Sequence, residues 1–221
     1  MDLKKTASVE ILSSNSLFLD ATHLTEDTLT TQKKIWALVT KCKASNAFID
    51  IVPAMNSLCM YLHNSNELEH WQNELTNWWQ DVDELKHQGT HHNIITHYGG
   101  NYGPDLDFVA KSHDLTTDEV IQLHSNTQYQ VLFLGFQPGF VYLHGLTEQL
   151  HTPRRNTPRT KVPKGSVAIG AEQTGIYPAD SPGGWHIIGH TDFNLFNHLS
   201  EPPSVIQPGD TLTFVSAEAL S

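Results

Sequence analysis

The stretch QPGDTLTFV, residues 207–215, shows most clearly how the second half of the chain folds. Proline and glycine in QPGD favour a tight turn. After the turn, the apolar residues Leu212 and Phe214 alternate with threonines, so that side chains of one kind share one face. This stretch therefore predicts a turn followed by a half-buried β-strand.

The same pattern of turns and short apolar runs extends back along the chain. From Gly135 onwards, glycine and proline interrupt short apolar runs such as 167–169 and 185–188. Residues 93–98 and 129–136 also have the composition of strands. Many short strands joined by turns are typical of a β-barrel or a β-sandwich.

The first part of the chain has a different pattern. Apolar residues recur at helical spacing over 28–44 and 67–82, which predicts two helices, while 46–52 and 58–62 have the composition of strands. Residues 83–90 have the composition of a linker. We therefore predict an α+β fold, with an N-terminal α+β domain over 1–88 and a β-rich domain over 89–221.

Composition excludes several classes of partner and site. The chain has 221 residues and a net charge of -11, so we expect neither nucleic acid nor anionic membrane as a partner. No leader-like or membrane-spanning apolar run is present, which favours the cytoplasm. Cys42 and Cys59 are expected to be free, buried thiols. The 14 histidines lack metal-site spacing, so we expect no metal.

A basic, proline-rich segment is the most unusual local feature. Five of the 13 basic residues fall within 154–164, between prolines at 153, 158 and 163: Arg154, Arg155, Arg159, Lys161 and Lys164. Prolines restrict the free segment, and clustered cations become favourable when an anion binds among them. The alternatives are a solvated loop and pairing with the chain's own carboxylates, and the sequence leaves them open.

Glycine-rich segments lie near this basic segment. Gly165 would let the backbone approach a ligand, and the Ser166 hydroxyl could donate a hydrogen bond to it. The segments 135–140, 174–178 and 181–185 could line a cleft, although tight corners between strands are the preferred interpretation. None matches a nucleotide-binding motif, so these motifs predict no nucleotide site.

Taken in order, several motifs resemble one protein family. They are YGGNYGPDL at 98–106, LGFQPGFVYL at 134–143, TPRR at 152–155, PR at 158–159, VPKGSV at 162–167, TGIYP at 174–178 and SPGGW at 181–185. This series is similar to the family that includes the 5-oxoprolinase B subunit, allophanate hydrolase subunit 1 and the sporulation-kinase inhibitor KipI. The resemblance covers most of the chain and is sharpest from 97 to 191.

The resemblance implies a fold and an activity. It implies a cyclophilin-like β-barrel as the C-terminal domain. It also implies the B subunit of an ATP-dependent 5-oxoprolinase, inactive alone, in a complex that opens the cyclic amide 5-oxo-L-proline to L-glutamate. ATP would be a substrate of that complex, with no site assigned on this chain.

The resemblance also implies partners and leaves two other functions open. The partners would be the A subunit and the C subunit of the complex, of which the C subunit is similar to allophanate hydrolase subunit 2. One alternative is an allophanate hydrolase or urea carboxylase type of subunit. The other is a KipI-like inhibitor of a sensor histidine kinase.

The family resemblance implies roles for specific residues. Arg154, Arg155, Arg159 and Lys164 would orient a carboxylate or phosphate, with Ser166, Tyr177 and His190 nearby; no catalytic residue is assigned. The family often has Gly-Arg-Thr where this chain has residues 189–191. His190 therefore replaces a permanent cation with a titratable one.

Overall fold

The structure is a computed structural model that describes residues 6–24, 27–84 and 89–220. The chain divides into two compact units, Met1–His87 and Gln88–Ser221. Mixed helices and strands in the first unit and a closed β-barrel in the second confirm the predicted α+β fold class. The boundary predicted at 88/89 stays a prediction, because 85–88 lie outside the described residues.

The first unit is a four-stranded antiparallel sheet with two helices on one face. Its strands lie in the order β1-β2-β4-β3, with these bounds: β1 Ser8–Ser13, β2 Ser16–Asp20, β3 Phe48–Ala54 and β4 Ser57–Leu62. The helices are α1 Thr28–Ser45 and α2 Leu68–Asp81. Buried side chains from both layers form one core that includes Leu17, Leu58 and Trp79.

Local capping explains where α1 begins and ends. The Asp27 carboxylate accepts hydrogen bonds from the backbone N–H groups of Leu29 and Thr30. At the other end, Asn46 takes a left-handed conformation, which stops the helix. The strand predicted over 46–52 extends through Pro53 to Ala54, and the proline is tolerated because β3 is an edge strand.

The second unit is a closed barrel of seven strands. Around the barrel the order is β10-β7-β6-β13-β5-β12-β9. The bounds are β5 His91–Tyr98, β6 Gln128–Leu134, β7 Val141–His144, β9 Ser166–Gly170, β10 Gln173–Ile176, β12 His186–His190 and β13 Thr211–Ser216. A separate two-stranded sheet pairs β8, Arg159–Val162, with β11, Ser181–Gly183.

The barrel closes through a pairing between its first and last strands. β13 runs parallel to β5 and antiparallel to β6, and it lies between them. Leu212 and Phe214 are fully buried, as their alternation with threonines predicted. The stretch 207–215 therefore supplies both a turn and the strand that completes the barrel.

Two short helices pack on the barrel, α3 Leu106–Ser112 and α4 Thr117–Ser125. A capping box begins α4, in which Thr116 and Glu119 are bonded reciprocally.

His124, on α4, is buried in the barrel core. Its Nε2 lies 2.9 Å from Thr174 Oγ1 and its Nδ1 lies 2.7 Å from the Tyr98 hydroxyl. Burial lowers the pKa of His124 to about 3, so this histidine is neutral at physiological pH.

The two cysteines are free thiols, as expected. Cys42 is buried and Cys59 is half-buried. The expectation that both are buried was therefore wrong for Cys59, which lies on β4 on the sheet face away from Leu58 and Met60.

Candidate functional site

Backbone hydrogen bonds fasten the basic segment to the barrel. Thr152 and Ala171 exchange hydrogen bonds of 3.0 and 2.7 Å, and Arg155 N–H donates to the Gly184 carbonyl at 2.8 Å. From Arg159 the segment continues as β8, paired with β11. The segment predicted as a loop is therefore partly a strand, and its side chains are held in defined positions.

A buried carboxylate lies between two of the predicted anion-binding arginines. Asp105 Oδ1 accepts hydrogen bonds from Arg155 Nη1 at 3.1 Å and from Arg159 Nη2 at 2.8 Å. Its Oδ2 accepts from the Ile187 N–H at 2.8 Å. Burial alone would raise the pKa of Asp105, but the bonds from Arg159 and Ile187 outweigh it and hold the pKa below its usual value.

Carboxylates of the chain itself neutralise part of the charge of the basic segment. Arg155 and Arg159 share one carboxylate of the chain itself, so the three groups together keep one positive charge. Lys161 pairs with Asp180 at 2.9 Å on the surface. Pairing with the chain's own carboxylates, one of the alternatives left open, therefore accounts for three of the five cations.

Arg154 has a different environment. Its guanidinium lies over the Trp185 ring, 5.9 Å from the ring centroid. Within the described part of the chain, the residues of this segment that form ion pairs are Arg155, Arg159 and Lys161. Stacking on an aromatic ring holds a guanidinium in place without neutralising its charge. Arg154 is therefore the cation of the segment best placed to meet an external anion.

Arg154 lines a small aromatic pocket of about 200 Å³. The other lining residues come from the segments 136–142, 155–158 and 177–185: Phe136, Phe140, Tyr142, Arg155, Pro158, Tyr177, Gly183, Gly184 and Trp185. Phe140, Tyr177 and Trp185 are at most 5% exposed, whereas Phe136 is 62% exposed. The pocket thus has a buried aromatic wall and an exposed ring.

The two phenols of the pocket stay protonated near neutral pH. Burial raises the pKa of Tyr142 and of Tyr177. The Trp185 backbone N–H opposes this rise in the pKa of Tyr177, but burial is the larger effect. An arginine and two hydroxyl donors on aromatic walls suit a small, flat ligand that carries an anion and hydrogen-bond acceptors.

The remaining predicted site residues lie outside the pocket lining. The His190 Nε2–H donates to the Lys164 carbonyl at 3.1 Å, and Lys164 Nζ donates to Asn194 Oδ1 at 3.3 Å. Ser166 is buried, and its carbonyl accepts from the Tyr177 N–H at 2.9 Å. The structure therefore brings Arg154, Arg155 and Tyr177 together and places Lys164 and His190 in a second group.

Gly165 packs closely against the backbone of Thr191 and so fixes the turn that carries Lys164. Its φ is +81°, and a Cβ at this position would overlap the Thr191 carbonyl oxygen. The Thr191 N–H donates in turn to the Gly165 carbonyl at 2.9 Å. The close approach predicted for this glycine is therefore to the chain's own backbone.

Sequence reasoning missed Asp105 and most of the aromatic wall. Asp105 stands in the quoted motif at 98–106, where its partners Arg155 and Arg159 are 50 and 54 residues away. For the segments 135–140 and 181–185, composition favours strand corners over a cleft lining. The structure nevertheless places residues of both segments in the pocket wall.

Three further findings concern the described residues. A larger cleft, of about 640 Å³, is lined by Asp107, Asp118 and Glu218 but by no Lys or Arg among its described residues, so it does not suit an anion. No three His, Cys, Asp or Glu side chains within the described ranges are grouped to hold a metal ion. No described helix is long and apolar enough to cross a membrane.

Most of the chain, including the residues that line the pocket, matches a known protein family. The family model described as carboxyltransferase domain, subdomain C and D, matches residues 8–206, and the chain belongs to this family. Two relatives each carry the name of the B subunit of 5-oxoprolinase. The protein of Escherichia coli O157:H7 is 44% identical over 189 residues, covering 85% of this chain and 87% of that protein. The Haemophilus influenzae protein is 42% identical over 184 residues, covering 83% and 86%.

A solved structure agrees with the family assignment. The crystal structure of TTHA0988 matches with a TM-score of 0.77 and 29% identity over 92% of this chain. The match covers 40% of TTHA0988, so this chain spans about two fifths of that protein. The family resemblance drawn from the ordered motifs is confirmed.

Proposed function

We propose that this chain is the B subunit of an ATP-dependent 5-oxoprolinase. With the A and C subunits it would convert 5-oxo-L-proline, ATP and water to L-glutamate, and it would be inactive alone. Relatives of that name, 42–44% identical over most of the chain, support the proposal. The observation that carries it in the structure is the aromatic pocket with Arg154 at its wall.

The pocket suits the chemistry of this substrate. 5-Oxoproline is a small ring with one carboxylate and one planar amide. The Arg154 guanidinium would bind the carboxylate, because it keeps its charge beside the Trp185 ring. Tyr142 and Tyr177 would donate hydrogen bonds to carbonyl or carboxylate oxygens, since both phenols stay protonated.

The Asp105 group would hold the pocket wall in position. Arg155 lines the pocket and is anchored to Asp105, so its guanidinium is fixed before any ligand binds. Fixed groups lose less entropy on binding than mobile ones do. Lys164 and His190 lie outside the lining, and we propose that they contribute to the surface around the site, while the buried Ser166 would support Tyr177 through its backbone.

Reconstitution of the complex tests the proposal. The A, B and C subunits of one organism are purified separately, and glutamate and ADP are measured with 5-oxoproline and ATP. We expect both products only when all three proteins are present. Glutamate no higher than the background of the A and C subunits alone would overturn the proposal. Turnover of urea or allophanate in its place, or direct inhibition of a histidine kinase, would identify the alternative activities.

A further inference from the structure

The sheet of the first unit has one face that its own helices leave uncovered. Side chains alternate between the two faces of a strand. On β2 and β4, Leu17, Leu19, Leu58 and Met60 are fully buried in the core beneath α1 and α2. The alternate residues of these two strands therefore point to the other face.

The strand register shows which residues share this other face. One row across all four strands joins Glu10 to Phe18, Phe18 to Cys59 and Cys59 to Val52. In the adjacent row on one side, Tyr61 lies opposite Asp50. In the row on the other side, Asp20 lies opposite Ser57. We call this set the outer sheet face: Glu10, Phe18, Asp20, Asp50, Val52, Cys59 and Tyr61.

The centre of the outer sheet face is apolar and accessible. Val52 is 42% exposed and Tyr61 is 37% exposed, while Phe18 and Cys59 are half-buried between them. A solvent-facing side of an antiparallel sheet normally carries polar residues. Apolar residues on the two central strands of such a face are typical of a surface that another protein covers.

The charged side chains that the four strands carry all have one sign. The four strands β1 to β4 contain the carboxylates Glu10, Asp20 and Asp50, and within their described bounds they contain no Lys or Arg. A second copy of the same face would bring carboxylates against carboxylates, which is unfavourable. A partner face with Lys or Arg around an apolar centre would match the outer sheet face in both charge and apolar surface.

We infer that the outer sheet face docks another protein of the complex, one that presents an apolar patch surrounded by basic side chains. The inference rests on the proposed function, which supplies the A and C subunits as the partners to be tested. The docking face lies on the first unit, and the aromatic pocket lies on the second. Binding to the partner and binding of the substrate can therefore be altered by separate substitutions.

The test compares variants of two surfaces. The purified A and C subunits are immobilised in turn, and the dissociation constant of each chain variant is measured. One variant carries Glu10→Lys with Asp50→Lys, and a second carries Val52→Thr with Tyr61→Thr. The control carries Asp81→Lys with Asp83→Lys, an equal change of charge at exposed positions at the end of α2 and just beyond it. Circular dichroism confirms that each variant is folded.

We expect the wild-type chain to bind one of the two proteins, and both face variants to bind it about 10-fold or more weakly. The control should stay within about twofold of wild type, and added salt should weaken wild-type binding. Equal affinities for wild type and both face variants would overturn the docking inference alone. A wild-type chain that binds neither protein would overturn the proposed function and the docking inference together.

Discussion

Arg159 donates a hydrogen bond to Asp105 across 54 residues of sequence, with Nη2 2.8 Å from Oδ1. Asp105 is 5% exposed and also accepts a bond from Arg155. A carboxylate this buried is stable as an ion only because two guanidiniums and a backbone N–H surround it. The pair therefore links the start of α3 to the basic segment that forms part of the pocket.

Removing the Asp105 charge should destabilise the protein and weaken the site. In Asp105→Asn, two guanidiniums lose their shared counter-ion, and we expect the free energy of unfolding to fall by about 2–3 kcal/mol. Urea denaturation measures this loss. Asp180→Asn is the matched control, because it removes one charge from an exposed ion pair with Lys161 and should change stability little. Equal effects of the two substitutions would contradict the structural role of Asp105.

Arg154 should act on substrate binding and not on folding. We expect Arg154→Gln to raise the KM of the reconstituted complex for 5-oxoproline by about 10-fold or more, since a charge-assisted bond to the carboxylate is lost. The melting temperature should stay close to that of wild type. Lys161→Gln, which removes a cation of the same segment outside the pocket, serves as the control. An unchanged KM in Arg154→Gln would exclude Arg154 from carboxylate binding.

His124 should make stability depend on pH below about 6.5, and this dependence is measured between pH 7 and 5. Its folded pKa is about 3, whereas an unfolded histidine takes up a proton near 6.5. The unfolded state thus binds the proton first, and stability falls as the pH drops below about 6.5, by up to about 1.4 kcal/mol per pH unit. His124→Gln should flatten this slope, and an unchanged slope in this variant would exclude His124 as its source. Asp105 titrates below this window, because its pKa is lowered from an already acidic value.

Alanine substitutions at two glycines with positive φ should distinguish the cost of backbone strain from the cost of steric overlap. Gly165→Ala should cost about 2–4 kcal/mol of unfolding free energy, because a Cβ there meets the Thr191 carbonyl and the φ is unfavourable. Gly100→Ala should cost about 1 kcal/mol, since its φ is +53° but nothing lies within 4 Å of the new Cβ. Urea denaturation of both variants measures the difference. Similar losses in both would show that the contact with Thr191 is unimportant.

Local patterns predicted the parts of the fold that depend on near neighbours in sequence. The helical spacing over 28–44 predicted α1, and that over 67–82 predicted α2. The alternation in 211–215 predicted a strand, but it contained no information that β13 would pair with β5 in parallel. Pairing partners of strands depend on contacts between distant segments, which local periodicity does not encode.

The same limit explains the errors at the candidate site. The basic residues are close together in sequence, so the sequence shows their number but not their partners. The role of Asp105 could not be predicted from neighbouring residues, because it pairs with arginines about 50 positions away. Likewise, the rings of Phe136, Tyr177 and Trp185 meet in one pocket only after the barrel has brought three loops together.

The position of β13 between β5 and β6 affects how the chain can fold during synthesis. β13 is the last of the barrel strands to leave the ribosome, yet it fills the space between two strands that emerge much earlier. Until residues 211–216 are available, β5 and β6 each keep an unpaired edge that can aggregate. In the first unit β4 is also the last strand and lies between β2 and β3, but it follows β3 directly in sequence, so this sheet can be completed long before residues 211–216 are synthesised.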